Sequence, residues 1–328
     1  METVSKIRWG IVGLGKIADT FAKDLALVPE ADLVAVASRS IQKAEAFKTT
    51  HNSSYAFGSY EELFACPEVD VVYVATPHSH HAQLAIQAME HGKHVLCEKP
   101  MGVNRIEASR MLNKAREKQV FFMEALWTRF MPAIIKAKEL IDSGTLGDIR
   151  YIHADFAFYA LDRDEKGRIL NPELAGGSLL DIGIYPIFLS YLILGKPDEI
   201  LSTSKFHATG AEIETSLIFQ YTNAQALLFS GFSCNSEMKA MVCGTKGTVY
   251  LHPRWHELQE LTIQLGEETQ SMSLPKSGKG YVHEIHEVHK CLRNGKLQSD
   301  LWSHQNSLDL IETLDLVRSQ NGIRFPFE

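Results

Sequence analysis

The sequence has no run of about 20 apolar residues, the length a membrane-spanning helix requires, so no membrane insertion is expected of its 328 residues. Its start, METVSKIRWGIVGLG, shows no apolar stretch of about 7–15 residues followed by a small-residue cleavage site, and so does not read as a secretory leader. Cysteine is scarce. There are five, Cys66, Cys97, Cys234, Cys243 and Cys291, and no two are spaced C-x-x-C. A disulfide framework and a zinc site are therefore not expected; free thiols in a reducing cytoplasm are. An excess of basic charge is missing too. Thirty-three Lys and Arg against 40 Asp and Glu give a net charge of −7, which offers nucleic acid and anionic lipid no general attraction. A local basic pocket for one phosphate is still compatible with that sum. Internal repeats and low-complexity segments are absent.

What is present fits an α/β protein of two domains, since the length exceeds what one core usually holds. Over the first ~120 residues strand and helix signals alternate. Residues 7–12 form an apolar run that ends in glycines, and Ile17, Phe21 and Leu25 then recur on one helical face. Further strands are expected at 33–37, 71–75, 95–97 and 120–123. Helices are expected after Ser59, where Glu62 completes a capping box, over 79–91, with Gly92 as its stop, and from Asn104. Alternation of this kind means βαβ units and a doubly wound parallel sheet, a Rossmann domain over residues 1–123. From 124 to 328 the pattern changes. A helix ends near Gly144, a strand covers 150–158, and a helix covers 177–194. Strands at 212–221, 224–233, 238–243 and 248–251 follow, separated by short turns that indicate a mostly antiparallel sheet. Two helices, 282–293 and 303–319, close the chain. The loop 162–171 is charged and contains a glycine.

Gly13-Leu14-Gly15-Lys16-Ile17-Ala18 has the form G-x-G-x-x-A. Gly13 permits the tight turn, Gly15 lets backbone approach a pyrophosphate, and Ala18 lets helix and strand pack closely. The N–H groups at Lys16 and Ile17 then meet the phosphates at a helix N-terminus. The pattern is weak alone, but here it lies between a strand and an amphipathic helix, the setting that gives it meaning. At the end of the second strand an acidic residue would select NAD by its ribose hydroxyl. This chain has Ser38-Arg39-Ser40 and then Lys43. Arg39 suits the 2′-phosphate of NADP through a forked, charge-assisted contact, with NAD as the second possibility.

The segment DVVYVATPHSHHAQLAIQAMEHGKHVLCEKP, residues 70–100, resembles the glucose–fructose oxidoreductase, inositol dehydrogenase and rhizopine-catabolism family of oxidoreductases. The likeness continues through MEALWTRFMPA from Met123, GGSLLDIGIY from Gly176, CGTKGT from Cys243 and HPRWHEL from His252. It is strongest toward the family's dihydrodiol dehydrogenase branch, which also oxidises D-xylose. The resemblance implies a second α/β domain built on an open sheet that carries the substrate site and forms a homodimer or higher homo-oligomer. It implies Lys99 as a catalytic residue, with Asp181 and Tyr185 in the D-x-G-x-Y segment. Thr76, Pro77, His78, His81 and Glu98 join the cofactor-binding set, and Arg39 and Lys43 match positions that read the 2′-phosphate. Trp127, Phe156 and Trp255 match pocket-lining aromatics, while His283 stands where an aromatic substrate contact is expected. Many members carry His at the position of Tyr185; the dihydrodiol dehydrogenase and glucose–fructose oxidoreductase branches carry Tyr, as here.

The chemistry suits these residues. Oxidising an alcohol removes a proton from oxygen while hydride leaves carbon, and the protein's part is positioning and the proton. Asp181 and Tyr185 are four apart on an expected helix and share a face. A free phenol, with pKa ~10, is a poor base at neutral pH, and a nearby Lys99 ammonium would favour tyrosinate. Tyr185 would carry the proton, Lys99 would hold the substrate oxygen, and Asp181 would orient Lys99 or bind a sugar hydroxyl. The roles of Lys99 and Tyr185 are exchangeable at this level. Core packing competes with substrate contact for the three aromatics. His283, His286 and His289 recur at i, i+3 and i+6, not the i, i+4 of a zincin helix, so no metal is expected. The reading is an NADP-dependent dehydrogenase acting on a sugar, polyol or dihydrodiol. A non-catalytic NADP-binding sensor or partner-binding module is its rival.

Overall fold

The computed structural model describes residues 5–328; the leading residues 1–4, read above as part of a chain start without a leader, lie outside the described residues. The chain divides into two compact units. The first is built on six parallel strands: β1 (Ile7–Val12), β2 (Ala31–Ala37), β3 (Tyr55–Phe57), β4 (Val71–Val74), β5 (His94–Glu98) and β6 (Phe122–Ala125). Their order, β3-β2-β1-β4-β5-β6, reverses direction between β1 and β4. Five strands are expected from sequence; the sixth, β3, is three residues long and pairs with β2 at the sheet's edge. β4 and the inner residues of β1, β2 and β5 are buried because helices cover both faces. These are α1 (Lys16–Leu25), α2 (Ile41–His51), α3 (Tyr60–Ala65), α4 (His81–Glu90) and α5 (Arg105–Lys118). Ser59 and Glu62 close the expected capping box on α3, and the Asn104 side chain accepts the Glu107 N–H at the start of α5.

The second unit runs from Met131 to Lys276 and takes in Asp309–Glu328. After α6 (Pro132–Asp142) come β7 (Ile149–Ala157), a π-helical turn (Leu179–Gly183) and α7 (Ile184–Leu194). Seven strands follow: β8 (Glu199–Phe206), β9 (Glu212–Tyr221), β10 (Ala224–Gly231), β11 (Ala240–Gly244), β12 (Thr248–Leu251), β13 (Glu260–Leu265) and β14 (Glu268–Ser273). With β7 they form one eight-stranded sheet ordered β14-β13-β12-β11-β7-β10-β9-β8, in which only β7 and β10 run parallel. Strands β8, β13 and β14 are additional to the expectation from sequence. The helix expected from residue 177 opens instead as the π-helical turn, and α7 proper begins at Ile184.

The chain then returns. Ser277–Leu308, with α8 (Tyr281–Arg293) and the start of α9 (His304–Asn321), packs in the first unit. The sequence reading grouped this stretch with the second domain. Three interactions account for its place. Asp24 on α1 accepts the backbone N–H groups of Lys279 and Tyr281, each at 2.9 Å. It thereby caps α8, whose own N-cap is Gly280 with no side chain to offer. The Trp9 indole donates to His289 Nε2 at 3.0 Å. The Phe122 N–H donates to the Leu297 carbonyl at 3.1 Å. No helix among the described residues is long and apolar enough to cross a membrane.

Candidate active site

In open parallel sheets ligands bind beyond the carboxyl ends of the strands, where the order reverses. Here that point is the pair of loops after β1 and β4. Gly13 has φ +87°, and a Cβ there would lie 2.7 Å from the Ala75 carbonyl carbon and oxygen and from the Thr76 side chain. Only glycine permits that approach. Gly15 is the extended N-cap of α1. It makes no side-chain cap, and a Cβ on it would meet open space. The N-terminal turn of α1, with Lys16 exposed and Ile17 half-buried, therefore faces room rather than protein. Across the loop, the Thr76 and Ser79 hydroxyl oxygens are buried without a hydrogen-bond partner. An open helix N-terminus beside orphaned hydroxyls fits a dinucleotide diphosphate. Ser38 is buried at the end of β2 and accepts the Ser40 N–H at 3.3 Å. Arg39 and Lys43 are exposed beside it, with no carboxylate among residues 38–40. Arg39 acts on His80, whose pKa burial and this guanidinium both lower.

The loop after β4 continues through Pro77 into a tight turn, His78–His80, and then α4. His81 is fully buried. Its Nδ1 lies 2.8 Å from the Pro100 carbonyl and its Nε2 lies 2.8 Å from the Thr76 carbonyl. Burial holds its pKa down to about 4, so the neutral ring donates to one of these carbonyls while ordering both loops. His78 is buried edge-on to it, with ring centroids 5.6 Å apart. The bend after β5 carries Lys99, only 9% exposed. Glu98 ties that bend to the sheet: it accepts the Tyr73 hydroxyl and, at 3.2 Å, the Lys99 backbone N–H. Burial and the Glu98 charge push the Tyr73 phenol well above its usual range, which keeps it a donor. The first unit therefore brings together Gly13, Thr76, His78, His81, Glu98 and Lys99 at the carboxyl edge of one sheet. Tyr73 is absent from the sequence-derived set; its only signal is a hydroxyl inside an otherwise aliphatic strand.

Trp127, in a short turn after β6, stacks on Tyr281 with centroids 5.1 Å apart and planes 17° from parallel. Tyr281 is thus the aromatic that α8 brings there. His283, two residues on, is half-buried and accepts the Ser277 N–H at 3.3 Å. The three α8 histidines diverge. His286 is exposed, and His289 is buried with its Nε2 occupied by Trp9 and its pKa held at about 4 by burial. Among the described residues no group of three or more His, Cys, Asp or Glu is placed to hold a metal ion.

In the second unit Asp181 sits on the π-helical turn and Tyr185 on the first turn of α7; both are buried. The turn is fixed from below by Glu212. This buried carboxyl accepts the Leu179 N–H, the Ser178 hydroxyl and the Thr215 hydroxyl, each at 2.7 Å. Arg168, from the charged loop 162–171, donates to Asp181 Oδ1 at 2.9 Å. The Tyr185 ring packs against Phe156 (5.5 Å) and His256 (5.6 Å), which stack on each other at 4.0 Å. Trp255 is fully buried and donates its indole N–H to the Asp155 carbonyl at 2.9 Å. Its place is beneath His256, in the core. Arg168 lies 13 residues from Asp181, Glu212 lies 33 and 34 residues from Leu179 and Ser178, and His256 lies 71 residues from Tyr185, and no spacing rule reaches that far.

Comparison with known proteins gives the family. The family model described as oxidoreductase family, NAD-binding Rossmann fold, matches residues 7–126, and that of the GFO/IDH/MocA C-terminal domain matches residues 134–250. The chain belongs to this family of NAD(P)-dependent oxidoreductases. It is similar along its length to trans-1,2-dihydrobenzene-1,2-diol dehydrogenase of Mus musculus, 37% identical and 98% covered on both sides. It is 33% identical to the D-xylose 1-dehydrogenase (NADP(+)) of Hypocrea jecorina, covering 98% of this chain and 93% of that one. Among solved structures, a 3-ketoreductase from Actinomadura kijaniata in complex with NADP and TDP-benzene superposes with a TM-score of 0.87 at 25% identity over 96% of this chain and 98% of its own. An aldose-aldose oxidoreductase from Caulobacter crescentus gives 0.88 at 25% identity, over 96% and 97%.

Proposed function

We propose that the protein is an NADP-dependent dehydrogenase that moves a hydride between the nicotinamide and the hydroxyl-bearing carbon of a sugar, polyol or trans-dihydrodiol. The observation that carries this reading is Lys99: an ammonium on a nearly buried bend, held by Glu98 and His81 at the edge of a sheet whose neighbouring loops suit a dinucleotide. The cofactor supplies the hydride acceptor or donor. The α1 N-terminus with Gly13 and Gly15 holds its diphosphate, Thr76 offers a hydroxyl, and Arg39 with Lys43 holds the 2′-phosphate. Lys99 holds the substrate oxygen. Tyr185 takes its proton in oxidation and returns it in reduction, with the aromatic wall of Phe156 and His256 keeping water off the phenol. Asp181 orients the charged groups, itself gripped by Arg168. Solved variants of the Actinomadura kijaniata enzyme replace one lysine and one tyrosine, the two residue types named here. The relatives' dihydrodiol and xylose substrates set the first compounds to try.

The experiment is absorbance of the reduced nicotinamide while D-xylose, inositol and a trans-dihydrodiol are offered with NADP or NAD. Reduction of NADP by at least one is expected; tight NADP binding with no reduction by any polyol contradicts it and favours a sensor. We also infer a homo-oligomer in the cytoplasm. Leu201, Ile218, Leu227, Met241 and Tyr250 lie in register across one face of the second sheet and remain partly exposed, Leu201 by 48%. The five cysteines are unpaired, in keeping with a reducing compartment. A monomeric mass by sedimentation at micromolar concentration contradicts the oligomer.

A further inference from the structure

The bend that carries Lys99 has a third fastening. The Pro100 carbonyl lies 2.8 Å from His81 Nδ1 and the Lys99 N–H is held by Glu98, while the next residue, Met101, donates its N–H at 3.0 Å to Glu124 Oε1. Glu124 lies on β6, opposite Cys97 of β5, and is 4% exposed. Its other oxygen accepts the Ser307 hydroxyl at 2.6 Å and the Trp302 indole N–H at 3.2 Å, both from the returning segment. One buried carboxylate thus joins the Lys99 bend to the start of α9. Met101 needs only one acceptor, which any neutral carbonyl would supply. A full carboxyl at that depth is costly unless its charge is used. Burial pushes it up, while its three donors and the Lys99 ammonium favour the charged form.

We propose that Glu124 is a positioning residue for Lys99: it fixes the bend at Met101 and places a buried negative charge beside that bend. This rests on the reading of Lys99 as the residue that holds the substrate oxygen. The bonds from Trp302 and Ser307 hold the carboxylate in one orientation.

A double-mutant cycle tests this. In folded Glu124→Gln, kcat is expected to fall about 10–100-fold while KM and NADP affinity stay within about 3-fold. In a Lys99→Met background the same change is expected to alter the residual turnover by less than about 3-fold, because the group it acts through is gone. An unchanged kcat in Glu124→Gln, or an equal loss in both backgrounds, overturns the proposal. Wild-type turnover in Lys99→Met is a different result and removes the reading of Lys99 itself. Where Glu124→Gln does not fold, Ser307→Ala carries the test, with kcat expected about 3–10-fold lower and recovered in Ser307→Thr; no change there overturns it equally.

Discussion

In the proposed function, Arg39 is the side chain on which cofactor choice turns. It is exposed beside the buried Ser38, at a strand end that offers no carboxylate to a ribose hydroxyl. Hydrogen bonds to charged groups contribute about 1.5–3 kcal/mol, so Arg39→Ala is expected to raise KM for NADP about 10–100-fold and leave that for NAD nearly unchanged. Equal losses with both cofactors in steady-state assays contradict that role. The places of Arg39 and Gly13 were legible in the sequence because they are local: a φ of +87° follows from one turn, and an exposed cation from one strand end. Glu212, Tyr281 and Glu124 were not, because each matters through a partner supplied by a distant segment. Trp127, Phe156 and Trp255 looked alike in sequence; burial separates Trp255, bonded to a core carbonyl, from the other two.

At the scale of elements, the clearest device is Asp24. A carboxylate at the end of α1 is poorly placed for its own helix, yet it sits at the N-terminus of α8, where it meets three backbone N–H bonds from two residues and a favourable dipole. Asp24→Ala is expected to lower stability by about 1–2 kcal/mol, read as a lower urea midpoint at unchanged slope. A midpoint equal to wild type shows that α8 is capped otherwise. The parallel strands were readable because burial on both faces makes them continuous apolar runs. Strands β8 and β14 were not: ETQSMS, Glu268–Ser273, is exposed almost throughout and carries no apolar period, and EILSTSKF alternates too weakly. β3, YAF, is too short to show a period. Nor did any local signal tell that Ser277–Leu308 rejoins the first unit, since capping by Asp24 spans more than 250 residues.

The molecule as a whole is expected to lose stability in mild acid. Burial holds His81 and His289 at about 4 in the folded chain, against ~6.5 unfolded. Between these values the unfolded chain binds more protons. The stabilisation is therefore complete above about pH 6.5 and is lost as pH falls toward about 4, by at most ~3–4 kcal/mol for each ring. Urea midpoints should fall from about pH 7.5 to 5 and fall less steeply in His289→Gln; equal midpoints at the two pH values contradict this. All of the functional reading meets in the proton and hydride step. Its most direct measurement is turnover set beside NADP affinity in Lys99→Met and Tyr185→Phe. Affinity within about 3-fold of wild type and turnover lower by about 100-fold or more are expected of both. Either variant turning over at the wild-type rate would contradict the dehydrogenase mechanism.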